Sequence, residues 1–298
     1  MVKKAIYRLY YSLQKNKLFF GVVAWLQSHY ITIFIGDLVN YPQNVRNRIN
    51  PKKYKEKSWN FFESNKQRVA NVTNMLEDDK SKKAYMAAIG FRTTSRRFKR
   101  DEWSLCDQYF VEDIICLSKN EVFVDCGAYD GDIIRKLLRH SKKDKESSVK
   151  QVIAFEPGQL SGDFLRKHFC KDSRVLLVAK GVSDKEREVY FNDKGSSSKV
   201  TSKEQANKKI LVTSIDQTPE CKDATFIKMD IEGAEWDALH GARDTIVRNK
   251  PKLAICIYHS DEDMIRISEY IHEIVPEYKL FIRHHTRRDH ETVLYAVL

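Results

Sequence analysis

The sequence predicts an α/β fold with an open and mostly parallel sheet. Three short apolar segments each end on an acidic residue, at residues 122–125, 152–156 and 226–230. Apolar runs of this length are typical of strands that are buried on both faces of a parallel sheet. The carboxyl ends of such strands meet at one edge, where ligands bind. We therefore expect the three acidic ends to border one ligand site.

The first strand passes into a glycine turn and then into a helix. Residues 122–124 are β-formers, and glycines in the turn permit a positive φ or a close backbone approach. Asp130 or Asp132 can cap the following helix, predicted over 133–139. The candidate cofactor-binding residues of this turn are Asp125, Gly127, Ala128, Tyr129, Asp130 and Gly131.

The composition of this turn bears on the choice of cofactor. A dinucleotide fingerprint needs Gly-x-Gly-x-x-Gly around a pyrophosphate, and the turn has only Gly127 and Gly131. Asp125, Asp130 and Asp132 would repel a pyrophosphate, whereas they suit a cationic ligand. S-adenosylmethionine carries a sulfonium and an ammonium group, so it fits this turn better than NAD does. An ordinary turn with solvated acids is the alternative.

The end of the second strand supports a nucleoside ligand. Glu156 follows Gly131 by 25 positions, which is the room that a crossover helix and a turn require. A carboxylate at this place can accept hydrogen bonds from both hydroxyls of a ribose. Since NAD and S-adenosylmethionine both contain a ribose, Glu156 and the adjacent Pro157 do not choose between them.

The third acidic end carries the densest group of carboxylates. Asp230, Glu232 and Glu235 follow the strand, and Gly233 opens a helix predicted over 234–247. With these residues the chain resembles the FkbM-type family of S-adenosylmethionine-dependent methyltransferases, over about residues 60–298. The resemblance rests on several motifs in the right order and spacing: residues 124–132, 155–157 and 227–235, then Leu239, Gly241, Ala242, Tyr258 and His259.

The resemblance implies a Rossmann-like class I methyltransferase fold. That fold has a mostly parallel seven-stranded sheet with a C-terminal antiparallel pair, and here a helical N-terminal region precedes it. The antiparallel pair is predicted at 278–283 and 292–297. We divide the chain into a basic, partly apolar segment (1–57), a helical lead-in or lid (58–118) and the S-adenosylmethionine-binding domain (119–298).

The resemblance also suggests contacts outside the three acidic ends. It implies that the turn at Val182 and Ser183 touches the adenine ring. Tyr109 could close over the cofactor as an aromatic lid, although a packed tyrosine with a satisfied hydroxyl is an equal alternative. Between these regions we predict strands over 174–179, 186–191 and 209–215.

The candidate catalytic residues are His259, Asp230 and Glu232. His259 ends the strand predicted over 252–258, and its ordinary pKa near neutrality makes it the first candidate for the general base. Asp230 could orient His259 or hold an ammonium group, and Glu232 is the second candidate base. The three could also gather a divalent metal, but no ligand spacing fixes one, so no metal is assigned. A purely structural histidine is the alternative.

The acceptor is expected to be a hydroxyl. The chain has no Asn-Pro-Pro-Tyr or Asp-Pro-Pro-Tyr segment, the usual signature of amino methylation. The resemblance implies a sugar of a surface polysaccharide, or a small secondary metabolite. Two other classes stay open, which are an NAD-dependent sugar-modifying enzyme and an interaction protein that has lost its chemistry.

The charge of the chain is concentrated at its N-terminal end. Residues 1–100 carry 21 Lys and Arg against 6 Asp and Glu, a net charge of +15, while the remainder carries −4. A nucleic-acid substrate is therefore unexpected for the cofactor domain. The basic end instead suits an anionic membrane surface or a pyrophosphate-linked glycan. Solvated lysines are the alternative.

The N-terminal end also bears on the location of the protein. The apolar stretch at 18–36 is interrupted by polar residues, which favours a helix that packs on the enzyme or lies at the membrane surface over one that spans the membrane. The six cysteines form no Cys-x-x-Cys pair, and we expect buried, reduced thiols. We therefore expect a cytoplasmic protein, peripheral to the inner membrane if its N-terminus binds there.

Overall fold

The computed structural model describes residues 51–104, 107–143, 147–194 and 198–298. The described α-helices are α1 (Pro51–Ser64), α2 (Lys66–Met75), α3 (Asp79–Thr94), α4 (Asp132–Lys143), α5 (Gln159–Phe169), α6 (Glu235–His240), α7 (Arg243–Asn249) and α8 (Asp263–Ile274). The described strands are β1 (Glu121–Cys126), β2 (Val149–Phe155), β3 (Val175–Val178), β4 (Gly181–Val182), β5 (Arg187–Asn192), β6 (Lys199–Val200), β7 (Lys208–Thr213), β8 (Phe226–Met229), β9 (Lys252–Cys256), β10 (Lys279–His284) and β11 (Thr292–Val297).

Seven strands form the main sheet, in the order β10-β11-β9-β8-β1-β2-β3. The five strands from β9 to β3 are parallel, and β11 and β10 close the other edge as an antiparallel pair. This confirms the predicted sheet and its antiparallel finish. The carboxyl ends of β1, β2, β8 and β9 lie side by side, because neighbouring parallel strands point the same way.

A second sheet of four strands, in the order β4-β7-β5-β6, follows β3. The predicted strands at 186–191 and 209–215 form its antiparallel pair, β5 with β7. The prediction at 174–179 corresponds to β3 of the main sheet. Two residues after β3, strand β4 leaves the main sheet and pairs with β7. Val182 therefore belongs to the second sheet, and Ser183 follows it directly.

The helical region before β1 differs in detail from the prediction. Apolar residues at helical spacing predict a helix over 59–76 with Ser58 as its cap, but α1 already begins at Pro51. The Ser58 hydroxyl instead donates to the Asp261 carboxylate at 2.6 Å. The cap of α3 is Asp78, which accepts from the Ser81 N–H at 2.7 Å. These differences arise because distant partners recruit the side chains that local sequence would use as caps.

The predicted helix over 234–247 is wrong as a single element, because it breaks into α6 and α7 at Gly241. The Gly241 carbonyl accepts from the Asp216 N–H at 2.8 Å. A Cβ at Gly241 would lie 2.1 Å from the Ser183 carbonyl oxygen, so only glycine fits. Asp216, which we expected on the substrate side, accepts from the Thr245 N–H at 2.8 Å and thereby caps α7.

Two apolar layers cover the main sheet. One contains residues of α1–α3 and α6–α8, and the other contains residues of α4 and the segment 109–115. Of the described cysteines, Cys126, Cys221 and Cys256 are buried as expected, whereas Cys116 and Cys170 are exposed.

Several expectations concern residues outside the described ranges. These are the apolar stretch at 18–36 and all but the last residues of the basic segment 1–57. Within the described ranges, no helix combines the length and the apolar character that crossing a membrane requires.

Candidate active site

The glycine turn after β1 connects the ends of three strands. The N–H groups of Gly127 and Ala128 donate to the Phe155 carbonyl at the end of β2, at 3.1 and 3.0 Å. Gly127 has a φ of 89°, and a Cβ there would lie 2.1 Å from the Asp230 carbonyl oxygen after β8. Since an L side chain tolerates neither condition, glycine is required where the turn crosses Asp230.

Asp125 lies behind this turn and is paired with Lys228 of β8. Asp125 Oδ1 is 3.0 Å from Lys228 Nζ, and their side chains are 0% and 3% exposed. Lys228 also donates to the carbonyls of Cys126 and Gly127, at 3.2 and 2.9 Å. Burial raises the pKa of Asp125, and the lysine only partly offsets this. Asp125 can therefore meet a cofactor only if the pair with Lys228 opens.

Glu156 stabilises the same turn from β2. Its carboxylate accepts from the N–H groups of Tyr129 at 2.9 Å and Gly158 at 2.6 Å. Burial raises the pKa of Glu156 to about 7, although both hydrogen bonds lower it. A carboxylate has about four acceptor positions, so two remain for the hydroxyls of a ribose. Pro157 follows directly.

Asp130 is the residue that caps α4. Its Oδ1 accepts from the Asp132 N–H at 2.9 Å, and Arg135 Nη2 lies 3.5 Å from the same oxygen. Burial, and then the charge of Asp132, raise the pKa of Asp130 to about 7. Gly131, with a φ of 74°, packs against α5, where a Cβ would lie 2.5 Å from the Phe169 ring.

Val182 and Ser183 lie apart from these groups. Val182 is buried in the apolar layer. The Ser183 hydroxyl donates to Asp184 at 3.1 Å and accepts from Arg187 at 3.0 Å. These interactions do not test the predicted contact of Val182 and Ser183 with adenine, which stays a prediction.

A second group of side chains lies where β8 and β9 end. We call Asp230, Glu232, Glu235, Tyr258 and His259 the His259 cluster. Asp230 accepts from the hydroxyls of Tyr109 at 2.9 Å and Tyr258 at 3.2 Å. His259 Nδ1 lies 3.1 Å from Glu235, and Nε2 lies 3.7 Å from Asp230 and 3.8 Å from Glu232. The structure thus brings all three predicted catalytic residues together.

The charges in the cluster change the roles that we expected from the sequence. Burial lowers the pKa of His259, but Glu235, Asp230 and Glu232 outweigh it and raise the value to about 10. Burial also raises the pKa of Glu232 to about 7, even though His259 opposes this. Burial also raises the pKa of Asp230, but the positive charges of Lys228 and His259 outweigh burial and hold this pKa below its ordinary value. At neutral pH the ring is therefore an imidazolium, and Glu232 is the group close to its titration point.

Tyr109 forms one wall of the cluster. It has a φ of 71° and is 2% exposed. Its hydroxyl also lies 3.3 Å from Cys256 Sγ, and Lys228 Nζ lies 5.4 Å from its ring centroid. Tyr109 is thus held by packing and by Asp230, and its predicted movement as a lid stays a prediction.

Sequence reasoning overlooked several neighbours of the site. Lys228 carried a recognisable signal, since a lone cation inside a buried apolar strand needs a partner. Gln108, which donates to Glu291 at the start of β11, carried none.

Asp230, Glu235 and His259 each offer an atom within 4.8 Å of the others, so this set could also hold a cation. The metal-binding set that the sequence suggested contained Glu232, whereas this set contains Glu235 instead. In the structure described here, the protonated ring of His259 supplies the positive charge among the carboxylates.

The fold and the site define a Rossmann-like methyltransferase. A family model described as "Methyltransferase FkbM domain" matches residues 125–288, which is more than half of the chain. The chain therefore belongs to the FkbM methyltransferase family, as the motifs suggested. A comparison with curated proteins gave no match.

The chain is also similar to several solved structures. The FkbM methyltransferase of Methylobacillus flagellatus KT is 28% identical with a TM-score of 0.68, over 82% of this chain and 62% of that chain. The present chain thus spans less than two thirds of that protein. An rRNA methylase of Streptococcus thermophilus is 13% identical over 60% of this chain and 87% of its own, with a TM-score of 0.38. A putative methyltransferase of Streptococcus mutans, solved in complex with SAH, is 13% identical over 64% of this chain and 95% of its own, with a TM-score of 0.37.

Family membership bears on the two cofactors that the sequence left open. A methyltransferase family favours S-adenosyl-L-methionine over NAD. The donor set fits this group, because the edge of the sheet offers carboxylates to a cationic nucleoside and no third glycine to a pyrophosphate.

Proposed function

We propose that this enzyme transfers the methyl group of S-adenosyl-L-methionine to a sugar hydroxyl in a surface polysaccharide or a lipid-linked glycan. The observation that carries the proposal is Glu232, a partly exposed carboxylate with a pKa of about 7 beside the imidazolium of His259. A sugar hydroxyl is a weak acid, so its methylation benefits from a base whose pKa lies near the working pH.

Each side chain of the site has a separate role in the proposed reaction. Glu232 accepts the proton of the acceptor hydroxyl, and His259 donates a hydrogen bond that orients the acceptor oxygen. Glu235 keeps His259 protonated, helped by Asp230, which Tyr109 and Tyr258 fix in place. The bound cofactor supplies the methyl group, and Glu156 would hold its ribose. Alignment of acceptor and donor contributes further to the rate.

The nature of the acceptor is supported by charge. The excess of positive charge in residues 1–100 suits an acceptor at an anionic surface, and we propose that the basic N-terminus makes a peripheral contact with an anionic membrane. The net charge of −4 over the rest of the chain weighs against a nucleic acid.

Cofactor binding is tested by calorimetry with S-adenosylhomocysteine, S-adenosylmethionine and NAD. Glu156→Gln keeps the size of the side chain but loses an acceptor, so we expect at least tenfold weaker binding of both sulfur ligands. Glu188→Gln, on an exposed residue of β5, is the matched control and should bind like the wild type. Binding of NAD alone would contradict the assigned cofactor.

The acceptor is tested with S-adenosylmethionine that carries a labelled methyl group. Sugar nucleotides, a lipid-linked glycan and a hydroxylated secondary metabolite are offered in parallel. We expect label on the glycan in a linkage that survives mild base, as an ether does and an ester does not. Label on the small metabolite alone would replace the glycan proposal with the other acceptor class.

A further inference from the structure

Two arginines lie against the ring of one buried tryptophan. The guanidinium carbons of Arg100 and Arg287 lie 4.8 and 4.7 Å from the ring centroid of Trp103. Trp103 is 7% exposed, so it forms a firm base for both cations. We call these two residues the Arg100–Arg287 pair.

The pair carries positive charge without a counter-charge. Over the part of the chain that the structure describes, neither guanidinium has a carboxylate within ion-pair distance, and Arg100 makes one long hydrogen bond, 3.4 Å to the Trp103 carbonyl. The nearby acids are engaged elsewhere. Glu102 is bound by Arg96 through both oxygens, at 2.9 and 3.1 Å, and Asp101 lies 3.9 Å from Lys83. Both guanidinium groups lie against the same ring, and two positive charges without a counter-charge there make the pair a site for an anion.

The pair borders the active-site edge of the sheet. Arg287 lies in the loop between β10 and β11, and β10 runs parallel to β9, so this loop lies at the edge where β9 ends. The His285 N–H donates to the Glu291 carbonyl at 2.9 Å and closes the loop. The Glu291 carboxylate accepts a hydrogen bond from Gln108. Gln108 directly precedes Tyr109, which forms one wall of the His259 cluster. Arg287 and Glu291 are four positions apart in the chain, a reach of at most ~14 Å.

We propose that the Arg100–Arg287 pair binds an anionic group of the acceptor, a phosphate, pyrophosphate or carboxylate, while the acceptor hydroxyl lies at the His259 cluster. This inference rests on the proposed function and adds the charge of the substrate to it. Guanidinium groups bind such anions through two parallel hydrogen bonds, and stacking on Trp103 holds them in place beforehand. The pair also compensates the repulsion that an anionic acceptor would meet at Asp230 and Glu232.

The test uses the full-length protein and inorganic pyrophosphate, titrated by calorimetry at low ionic strength. We expect Arg100→Ala/Arg287→Ala to bind pyrophosphate at least tenfold more weakly than the wild type. Arg166→Ala/Arg243→Ala removes two half-exposed arginines from helices α5 and α7, and is the matched control for net charge. It should bind within twofold of the wild type. Equal affinity in the first variant, or an equal loss in the control, overturns the inference.

Two further measurements separate the sources of the anion and the two proposals. If the Arg100→Ala/Arg287→Ala variant loses retention on phosphatidylglycerol vesicles but keeps pyrophosphate affinity, the pair is a membrane contact and the inference is wrong. S-adenosylhomocysteine binding is measured on the same samples and should not change. If the wild type binds S-adenosylhomocysteine but not pyrophosphate, only this inference is wrong. If it binds pyrophosphate but not S-adenosylhomocysteine, the proposed methyl transfer is wrong.

Discussion

Two ionic clusters lie one strand apart at the carboxyl edge of the sheet, and they differ in their contact with water. Asp125 and Lys228 are sealed under the glycine turn, at 0% and 3% exposure. In the His259 cluster, Asp230 and Glu232 are 25% and 30% exposed. The same residue types therefore serve two purposes. The sealed pair joins β1 to β8, while the open cluster keeps Glu232 near its titration point where a substrate can reach it.

The largest expected effect concerns the open cluster. Replacing Glu232 by Gln removes the proposed base, so methyl transfer should fall by ~10²–10⁴-fold. In the wild type the rate should rise as the pH passes about 7, where Glu232 loses its proton, and fall as it passes about 10, where His259 does. A pH–rate profile of both proteins checks this. An unchanged rising limb in the variant would assign the base elsewhere.

The sealed pair should respond in stability. Lys228→Met leaves the Asp125 carboxylate buried without a partner, and we expect a loss of ~3–5 kcal/mol in the free energy of unfolding. Denaturant titration measures this loss. Asp125→Asn/Lys228→Met removes both charges and should recover a large part of it. A double variant as unstable as the single one would show that the lysine acts through the carbonyls of Cys126 and Gly127 instead.

Glu235 is the closest carboxylate to His259, which makes it the sharpest probe of the open cluster. Glu235→Gln removes a charge 3.1 Å from Nδ1, so the pKa of His259 should fall from about 10 by at least ~1 unit, or ~1.4 kcal/mol. Titration of the ring by NMR measures it, and the signal is assigned from its absence in His259→Gln. Glu188→Gln should leave the value unchanged. A ring that titrates near 6.5 in the wild type would refute the imidazolium.

The raised pKa of His259 also makes stability depend on pH. The folded value, about 10, lies above the ordinary value of 6.5. The contribution of the protonated ring is therefore fully present below pH 6.5 and is lost as the pH rises through 10. We expect the difference in unfolding free energy between wild type and His259→Gln to shrink by ~1 kcal/mol or more from pH 6.5 to pH 10. A constant difference would mean that the ring is neutral throughout.

The smallest effect is expected far from both clusters. Arg68 Nη2 lies 2.6 Å from Glu269, with both side chains about one third exposed. Solvent screening limits such a pair to ~0–1 kcal/mol, so Arg68→Ala should change the unfolding free energy by no more than that. Denaturant titration compares it with Lys228→Met. A loss as large as that of Lys228→Met would show that exposure does not distinguish the two kinds of pair.

Local sequence determined much of the cofactor edge. The apolar strand, Gly127, Gly131 and Glu156 could be identified because strand propensity, positive φ and acidic strand ends each leave a signature within a few residues. The break at Gly241 could not be identified, because it depends on the Ser183 carbonyl, 58 positions away in the chain. The Arg100–Arg287 pair escaped notice for the same reason, since only folding brings both arginines to the ring of Trp103.

The sequence by itself determined the fold class, the family and the three acidic strand ends, because these follow from hydrophobic pattern and short-range motifs. Only the tertiary structure decided how the acids are used. It sealed Asp125 against Lys228 and placed three carboxylates around His259, which turned the expected base into a cation and left Glu232 near pH 7. The physical reason is that a pKa depends on burial and on neighbouring charges, and both are properties of the folded arrangement.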